Sequence, residues 1–130
     1  MTKQIMPAGY YYVGDPCYVV ADSKWPSFVD ETFKHEPNKF TFQGYPCWVH
    51  GTYFGDGEYY DDFNNSYGVD SGIIGVVEIG VFMFDIEPQD ITDGRIVEFK
   101  EPFEVSYGDG VFSVGHFQID TKCDNEGDFF

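Results

Sequence analysis

Positive charge is scarce in this 130-residue chain. Seven Lys and Arg residues stand against 23 Asp and Glu residues, which gives a formal net charge of −16 at pH 7. A nucleic-acid binder needs a basic stripe to meet phosphate groups, but the only arginine is Arg95 and the lysines are scattered singly. We therefore expect no direct binding of DNA or RNA. We do expect attraction to basic surfaces, because a strong negative field speeds their encounter.

Long apolar runs and paired cysteines are also lacking. No run approaches the roughly 18 apolar residues of a membrane span, and residues 1–12 have no continuous apolar stretch of the kind found in a signal peptide. Cys17, Cys47 and Cys123 are odd in number and form no CxxC pair, which is typical of a reducing compartment. The sequence therefore predicts a cytoplasmic protein that does not associate with membranes.

Aromatic residues, in contrast, are plentiful. The chain has 14 Phe, 10 Tyr and 2 Trp residues, interrupted by 15 Gly and 7 Pro residues. Rings favour strands, and frequent Gly and Pro leave little room for long helices. We predict one mainly β domain over residues 1–123, an antiparallel sandwich or partly open barrel, followed by an acidic tail over residues 124–130. One short helix is predicted near residues 23–33, where Trp25, Phe28, Val29 and Phe33 recur at helical spacing.

Strands are predicted where aromatic and β-branched residues cluster or alternate between turn signals. They cover Tyr10–Val13, Cys17–Val20, Phe40–Gln43, Cys47–Tyr53, Glu58–Asp62, Ile73–Ile79, Val81–Ile86, Arg95–Phe99, Phe103–Tyr107, Val111–Val114 and Phe117–Thr121. Alternation in the stretches that begin at Phe103 and Phe117 puts rings on one face of a sheet, and we expect that face to line the core.

Four aspartates occupy predicted turns. Asp56 and Asp109 each lie between two glycines, and both tripeptides are predicted to be hairpin turns in which Gly supplies a positive φ. Asp15 precedes a proline, and Asp70 precedes Ser71 and Gly72. We expect all four aspartates to be structural, with the side chains of Asp15 and Asp70 accepting backbone hydrogen bonds.

The sequence offers three catalytic or metal-binding interpretations. Carboxylates such as Asp56, Asp61, Asp62 and Asp70 are oxygen ligands for Ca²⁺ or Mg²⁺, but their spacing does not fit a calcium loop. Cys17 and His50 could form a nucleophile pair, although nothing in their spacing supports one.

The third interpretation rests on the tripeptide Asp70-Ser71-Gly72, which is similar to that of aspartic proteases. It occurs once, so a chain of this length would have to dimerise to pair two such carboxylates. We predict no catalytic residue, metal or cofactor, and keep an aspartic or metal-dependent hydrolase as an alternative.

Three motifs, taken in their order along the chain, resemble those of a known protein family. They are Gly14-Asp15-Pro16-Cys17-Tyr18-Val19, which Trp25 follows, then Gly55-Asp56-Gly57-Glu58-Tyr59 and Val69-Asp70-Ser71-Gly72-Ile73-Ile74-Gly75. The set resembles a family of small acidic proteins of phages and bacteria that has no assigned function, and the likeness spans roughly residues 9 to 80. The resemblance implies a phage accessory protein that acts in the host cytoplasm.

We therefore predict a non-catalytic acidic protein that binds and inhibits a host protein with a basic surface, either a defence protein or one that handles nucleic acid. Four residues beside the turn at Asp56 are candidates for that contact: Glu58, Tyr59, Asp61 and Asp62. Of these, the three acids are expected to be exposed.

A second interpretation is a binder that sequesters a small molecule or a nucleotide messenger. Aromatic rings would stack on a base, and Arg95 or Lys100 would meet phosphate. An exposed aromatic patch would also suit an oligomer.

Overall fold

Two antiparallel sheets and one short α-helix make up the described chain. The computed structural model describes residues 2–32, 41–91 and 93–122. The strands are β1 Thr2–Met6, β2 Gly9–Gly14, β3 Thr41–Phe42, β4 Tyr45–Gly51, β5 Gly57–Asp61, β6 Ser66–Val69, β7 Ile73–Glu78, β8 Arg95–Phe99, β9 Phe103–Gly108, β10 Val111–Val114 and β11 Phe117–Asp120. The helix α1 is Trp25–Thr32, and short 3-10 helices cover Pro16–Tyr18, Ile79–Val81 and Pro88–Asp90.

The strands form a sandwich. One sheet has the order β1-β9-β10-β11-β5-β6 and the other the order β3-β4-β7-β2-β8. Neighbouring strands pair antiparallel in both sheets. The predictions of an antiparallel β-sandwich and of a short helix are confirmed. Phe33, Cys123 and the predicted tail over residues 124–130 lie outside the described residues.

Strand β2 shows why the core has two parts. Its side chains alternate, so that Tyr11 and Val13 belong to the core between the sheets, whereas Tyr12 belongs to a second cluster on the other face of the five-stranded sheet. Phe28 of α1 and Phe82 pack in that second cluster. Both faces of β2 are therefore buried, and each large side chain removed from water contributes about 1.5–3 kcal/mol to stability.

Two predicted strands are wrong. Cys17–Val20 overlaps the 3-10 helix at Pro16–Tyr18, and Val81–Ile86 overlaps the one at Ile79–Val81 and the turns that follow. These two 3-10 helices both follow a strand, and an acidic residue caps each of them, Asp15 the first and Glu78 the second. The side chain of each acid accepts the backbone N–H of the residue two positions later. This capping bond turns the chain out of the sheet, although the residues that follow favour strands.

The two Gly-Asp-Gly tripeptides have different structures. Asp109 and Gly110 have φ values of 53° and 84° and close the hairpin between β9 and β10, as predicted. Gly55-Asp56-Gly57 joins β4 of one sheet to β5 of the other, so the prediction of a hairpin there is wrong. A turn signal specifies a local bend, but the burial of the flanking strands decides which strands pair.

Candidate functional site

A fully buried carboxylate joins two of the three sequence motifs. Asp15 Oδ1 accepts the backbone N–H of Cys17 at 2.9 Å and the hydroxyl of Ser71 at 2.7 Å. Its Oδ2 accepts the backbone N–H of Asp70 at 2.6 Å and that of Ser71 at 2.7 Å. All four partners donate, which matches the acceptor-only chemistry of a carboxylate. Asp15 therefore fixes the end of β2 to the chain that follows β6.

Tyr18 extends this link toward the surface. Its hydroxyl donates to Oδ2 of Asp70. That hydrogen bond, with burial and the charge of Asp70, raises the pKa of Tyr18 well above its usual range, so the phenol stays protonated at neutral pH. The hydroxyl therefore orients the Asp70 carboxylate.

The same chain segments form an open, acid-lined groove of about 330 Å³. Its lining comprises Tyr18, Asp56, Gly57, Glu58, Gly68, Val69 and Asp70, which we call the acidic groove. Pairing of β5 with β6 sets Glu58 opposite Gly68. A carboxylate oxygen of Asp93 lies only 2.9 Å from where a Cβ on Gly68 would be, so a fourth acid stands against the groove. Among the residues that the structure describes, none that lines this groove is Lys or Arg.

Two exposed aromatic rings lie just before the groove residue Asp56 in the sequence. Tyr53 and Phe54 are each 55% exposed, and their rings meet edge to face with centroids 4.9 Å apart. The backbone N–H of Tyr53 donates to Thr121 Oγ1 at 3.0 Å, which ties the loop between β4 and β5 to the end of β11. The two rings therefore belong to a loop that is fixed by this hydrogen bond and that continues through Gly55 to Asp56.

The predicted binding residues beside this turn separate into exposed and buried groups. Glu58 is exposed and lines the acidic groove. Tyr59 is fully buried, with its hydroxyl donating to the Gly55 carbonyl at 2.9 Å. Asp61 is only 6% exposed, so the expectation of an exposed acid there is wrong. Tyr59 and Asp61 point into the fold because alternation along β5 buries its third and fifth residues.

Asp61 organises the turn between β5 and β6. Its Oδ1 accepts the backbone N–H groups of Phe63 and Asn65, each at 2.9 Å, and its Oδ2 accepts the Tyr67 hydroxyl at 2.7 Å. Burial acts to raise the pKa of Asp61, but the hydrogen bonds from Asn65, Tyr67 and Phe63 outweigh it and hold the pKa below its usual value. This carboxylate stabilises the fold.

Arg95 contacts both Asp61 and Tyr67 in this hydrogen-bond network. A guanidinium nitrogen lies 3.6 Å from Asp61 Oδ2, and Nε donates to the Tyr67 hydroxyl at 3.0 Å. The guanidinium also stacks over the Phe117 ring, 4.8 Å from its centroid. A phosphate group would have to compete with these contacts for Arg95.

Three further predicted residues lie outside the acidic groove lining. Asp62 is exposed and accepts the backbone N–H of Gln118 at 3.0 Å, which joins β5 to β11. Lys100 is exposed just after β8. Asp109 occupies the hairpin turn and pairs with Lys122 at 3.0 Å.

The proposed pair of Cys17 and His50 has no activated thiol. Burial, followed by the charge and hydrogen bond of Asp15, raises the pKa of Cys17 to about 12, so it is a neutral thiol at physiological pH. The His50 ring stacks on Tyr107 with centroids 3.7 Å apart. Within residues 2–32, 41–91 and 93–122, no group of three or more His, Cys, Asp or Glu residues is placed to hold a metal ion.

Sequence reasoning missed Tyr18, which lines the acidic groove, and Asp93, which stands against it. Tyr18 belongs to the first motif, but its partner Asp70 is 52 residues away and no local pattern indicates the contact. Asp93 precedes Gly94, and this turn-forming pair of residues could have been recognised in the sequence. What the sequence does not show is that Gly68, without a side chain, lets Asp93 approach β6.

Comparison with known proteins adds no relative. No protein-family model, curated protein or solved structure matches the chain. The described part of the chain contains no helix long and apolar enough to cross a membrane.

Proposed function

We propose that this chain is a non-catalytic binding protein that engages a basic surface of another protein through its acidic groove. The observation that carries the proposal is the meeting of Asp56, Glu58 and Asp70 in one open groove, and none of the described residues that line it is Lys or Arg. A net charge of −16 supplies long-range attraction, and the groove supplies the place where a row of Lys or Arg side chains would be neutralised.

The groove is rigidly supported, which favours binding. Asp15 ties down the backbone of Asp70 and Ser71, and the pairing of β5 with β6 holds Glu58. Acids on fixed backbone lose less conformational freedom on binding than acids on a mobile loop. Tyr53 and Phe54 add exposed aromatic area of the kind that is enriched at protein interfaces.

The three sequence motifs bear on the kind of partner. Two of them, the segments that contain Asp15 and Asp70, are joined by hydrogen bonds, and the third supplies Asp56 and Glu58. The resemblance of this motif set to small acidic proteins of phages and bacteria supports a host protein as the target. A host surface that normally holds nucleic acid has the required positive charge, and occupying it would inhibit that protein.

The proposal predicts that charge reversal in the groove slows association more than the same reversal elsewhere. The test pair is Asp56→Lys with Glu58→Lys, and the control pair is Glu98→Lys with Glu101→Lys; all four acids are exposed. Each pair changes the net charge from −16 to −12, since every acid-to-lysine change adds two charges. With a labelled oligolysine peptide as probe, we expect stopped-flow association at about 0.05 M NaCl to slow about tenfold for the groove pair and about twofold for the control pair.

Salt provides the internal check. Raising NaCl to about 0.5 M shortens the screening length, so all rates should fall and the two pairs should converge. Equal slowing by the two pairs at low salt would show a diffuse field without a groove site. Rates that do not respond to salt would contradict electrostatic capture altogether.

A further inference from the structure

The segment between β7 and β8 carries a second surface of a different character. Phe84 is 91% exposed and Met83 is 52% exposed, the former more than any other large apolar side chain of the described chain. A ring held in water forgoes the stabilisation that its burial would contribute. Clustered exposed apolar side chains of this kind mark interaction sites.

A partly enclosed pocket of about 320 Å³ adjoins these side chains. Its apolar walls are Ile79, Phe82, Met83, Ile86 and Ile96, and Glu87 stands in its lining; we call it the apolar pocket. This volume lies at the lower end of the roughly 300–1,000 Å³ range of ligand sites. It therefore suits one large side chain better than an extended ligand.

The pocket is held in place from several directions. Phe82 is buried and meets the Tyr12 ring edge to face, with centroids 6.1 Å apart. The backbone N–H of Ile86 donates to the Phe82 carbonyl at 3.0 Å. Lys24, just before α1, pairs with Asp85 at 2.7 Å. An occupant would enter a cavity whose walls are already in place, at low ordering cost.

The charge around the pocket restricts what can occupy it. Residues 79–94 include Glu87, Asp90 and Asp93, in addition to the Asp85 that Lys24 neutralises, and this segment itself has no Lys or Arg. A second copy of this chain would bring another body of charge −16 to the same surface, which the field opposes. A segment with cations beside its apolar side chain is complementary to both the walls and the surroundings of the pocket.

We propose that the apolar pocket receives one large apolar side chain from a partner protein segment in which Lys or Arg residues flank that side chain, with Phe84 packing alongside. The inference rests on the proposed function, because the basic partner is common to both. It adds specificity, since an apolar anchor in a pocket selects among the many basic surfaces that a −16 protein attracts.

The test is selection from a displayed library of random peptides of about 12 residues on the intact protein. We expect the recovered peptides to share a large apolar residue flanked by Lys or Arg. A synthetic representative should bind Met83→Gln/Phe84→Ser at least about tenfold more weakly than the parent, because the variant removes apolar contacts at the pocket. The same peptide should lose less than about threefold on Ile5→Gln/Phe63→Ser, which removes two exposed apolar side chains that line neither the pocket nor the acidic groove.

Several results would overturn the inference, and one of them spares the proposed function. The selected peptides could be basic but lack an apolar anchor, and they could bind Met83→Gln/Phe84→Ser normally but fail to bind Asp56→Lys/Glu58→Lys. This result would refute the pocket as a binding site and would still support the acidic groove. Uncharged apolar peptides that depend on Met83 and Phe84 would refute the basic flank. Recovery of no consensus would also refute the inference. Circular dichroism of each variant establishes that it remains folded.

Discussion

Replacing Asp15 by Ala is expected to lower the free energy of unfolding by about 3 kcal/mol or more. The change leaves three backbone N–H groups, those of Cys17, Asp70 and Ser71, without their acceptor. Each unsatisfied buried donor costs about 1–3 kcal/mol, and the costs are only partly additive where water enters. Urea unfolding monitored by fluorescence at neutral pH measures the loss.

Two further variants isolate the cause. Asp70→Ala removes a carboxylate whose described hydrogen bond comes from the Tyr18 hydroxyl at the exposed side, so we expect a loss of only about 1 kcal/mol or less. Asp15→Asn keeps the shape but turns at least one backbone N–H toward an amide NH₂, so we expect a loss of about 1–3 kcal/mol. Equal losses for Asp15→Ala and Asp70→Ala would show that Asp15 does not hold the two motifs together.

Asp61→Ala is expected to cost about 3 kcal/mol as well. The carboxylate is buried and accepts from Phe63, Asn65 and Tyr67, and its removal also leaves the Arg95 guanidinium without its anion. The neighbouring Asp62→Ala is the matched control, because Asp62 is exposed and its carboxylate accepts the one described N–H, from Gln118. Its expected cost is about 1 kcal/mol or less. Equal costs for the two variants would contradict the role assigned to Asp61.

The pH dependence of unfolding gives a second measure of Asp61. Its pKa in the folded protein is lowered, so its contribution is fully present above the unfolded-state value of about 3.9 and is lost as pH falls through the folded-state value. Between neutral pH and the acid limit, the difference in stability between the parent and Asp61→Ala should therefore shrink below about pH 4. A difference that stays constant down to the acid limit would show that the ionised carboxylate is not what stabilises this turn.

The strands that sequence reasoning located well are those in which side-chain pattern and burial agree. Arg95–Phe99 and Val111–Val114 have the predicted bounds. β1 was missed because Thr2-Lys3-Gln4 has little strand signal, and its strand structure depends on pairing with β9. β6 was missed although Tyr67 and Val69 alternate, because Gly68 lies between them and Asn64-Asn65 directly before the strand favour a turn.

The candidate site was predictable only in its pieces. Asp15 and Asp70 belong to motifs visible in the sequence, but their meeting depends on contacts between residues 55 or more positions apart. Asp61 and Asp62 are adjacent and identical residues, so residue type alone does not distinguish them. Only the alternation of side chains along β5 shows that Asp61 is buried and Asp62 is exposed. Pattern reasoning could have assigned Asp61 to the core face from Tyr59, two residues earlier.

The most direct test of the acidic groove as a binding site is a map of where a cation-rich peptide contacts the protein. We would follow amide shifts of isotope-labelled protein by NMR as oligolysine is added at low salt. The account predicts that the largest shifts fall at Asp56–Glu58 and Gly68–Asp70 and are lost in Asp56→Lys/Glu58→Lys. Shifts of equal size at the control acids Glu98 and Glu101, or shifts that persist in the charge-reversed variant, would contradict it.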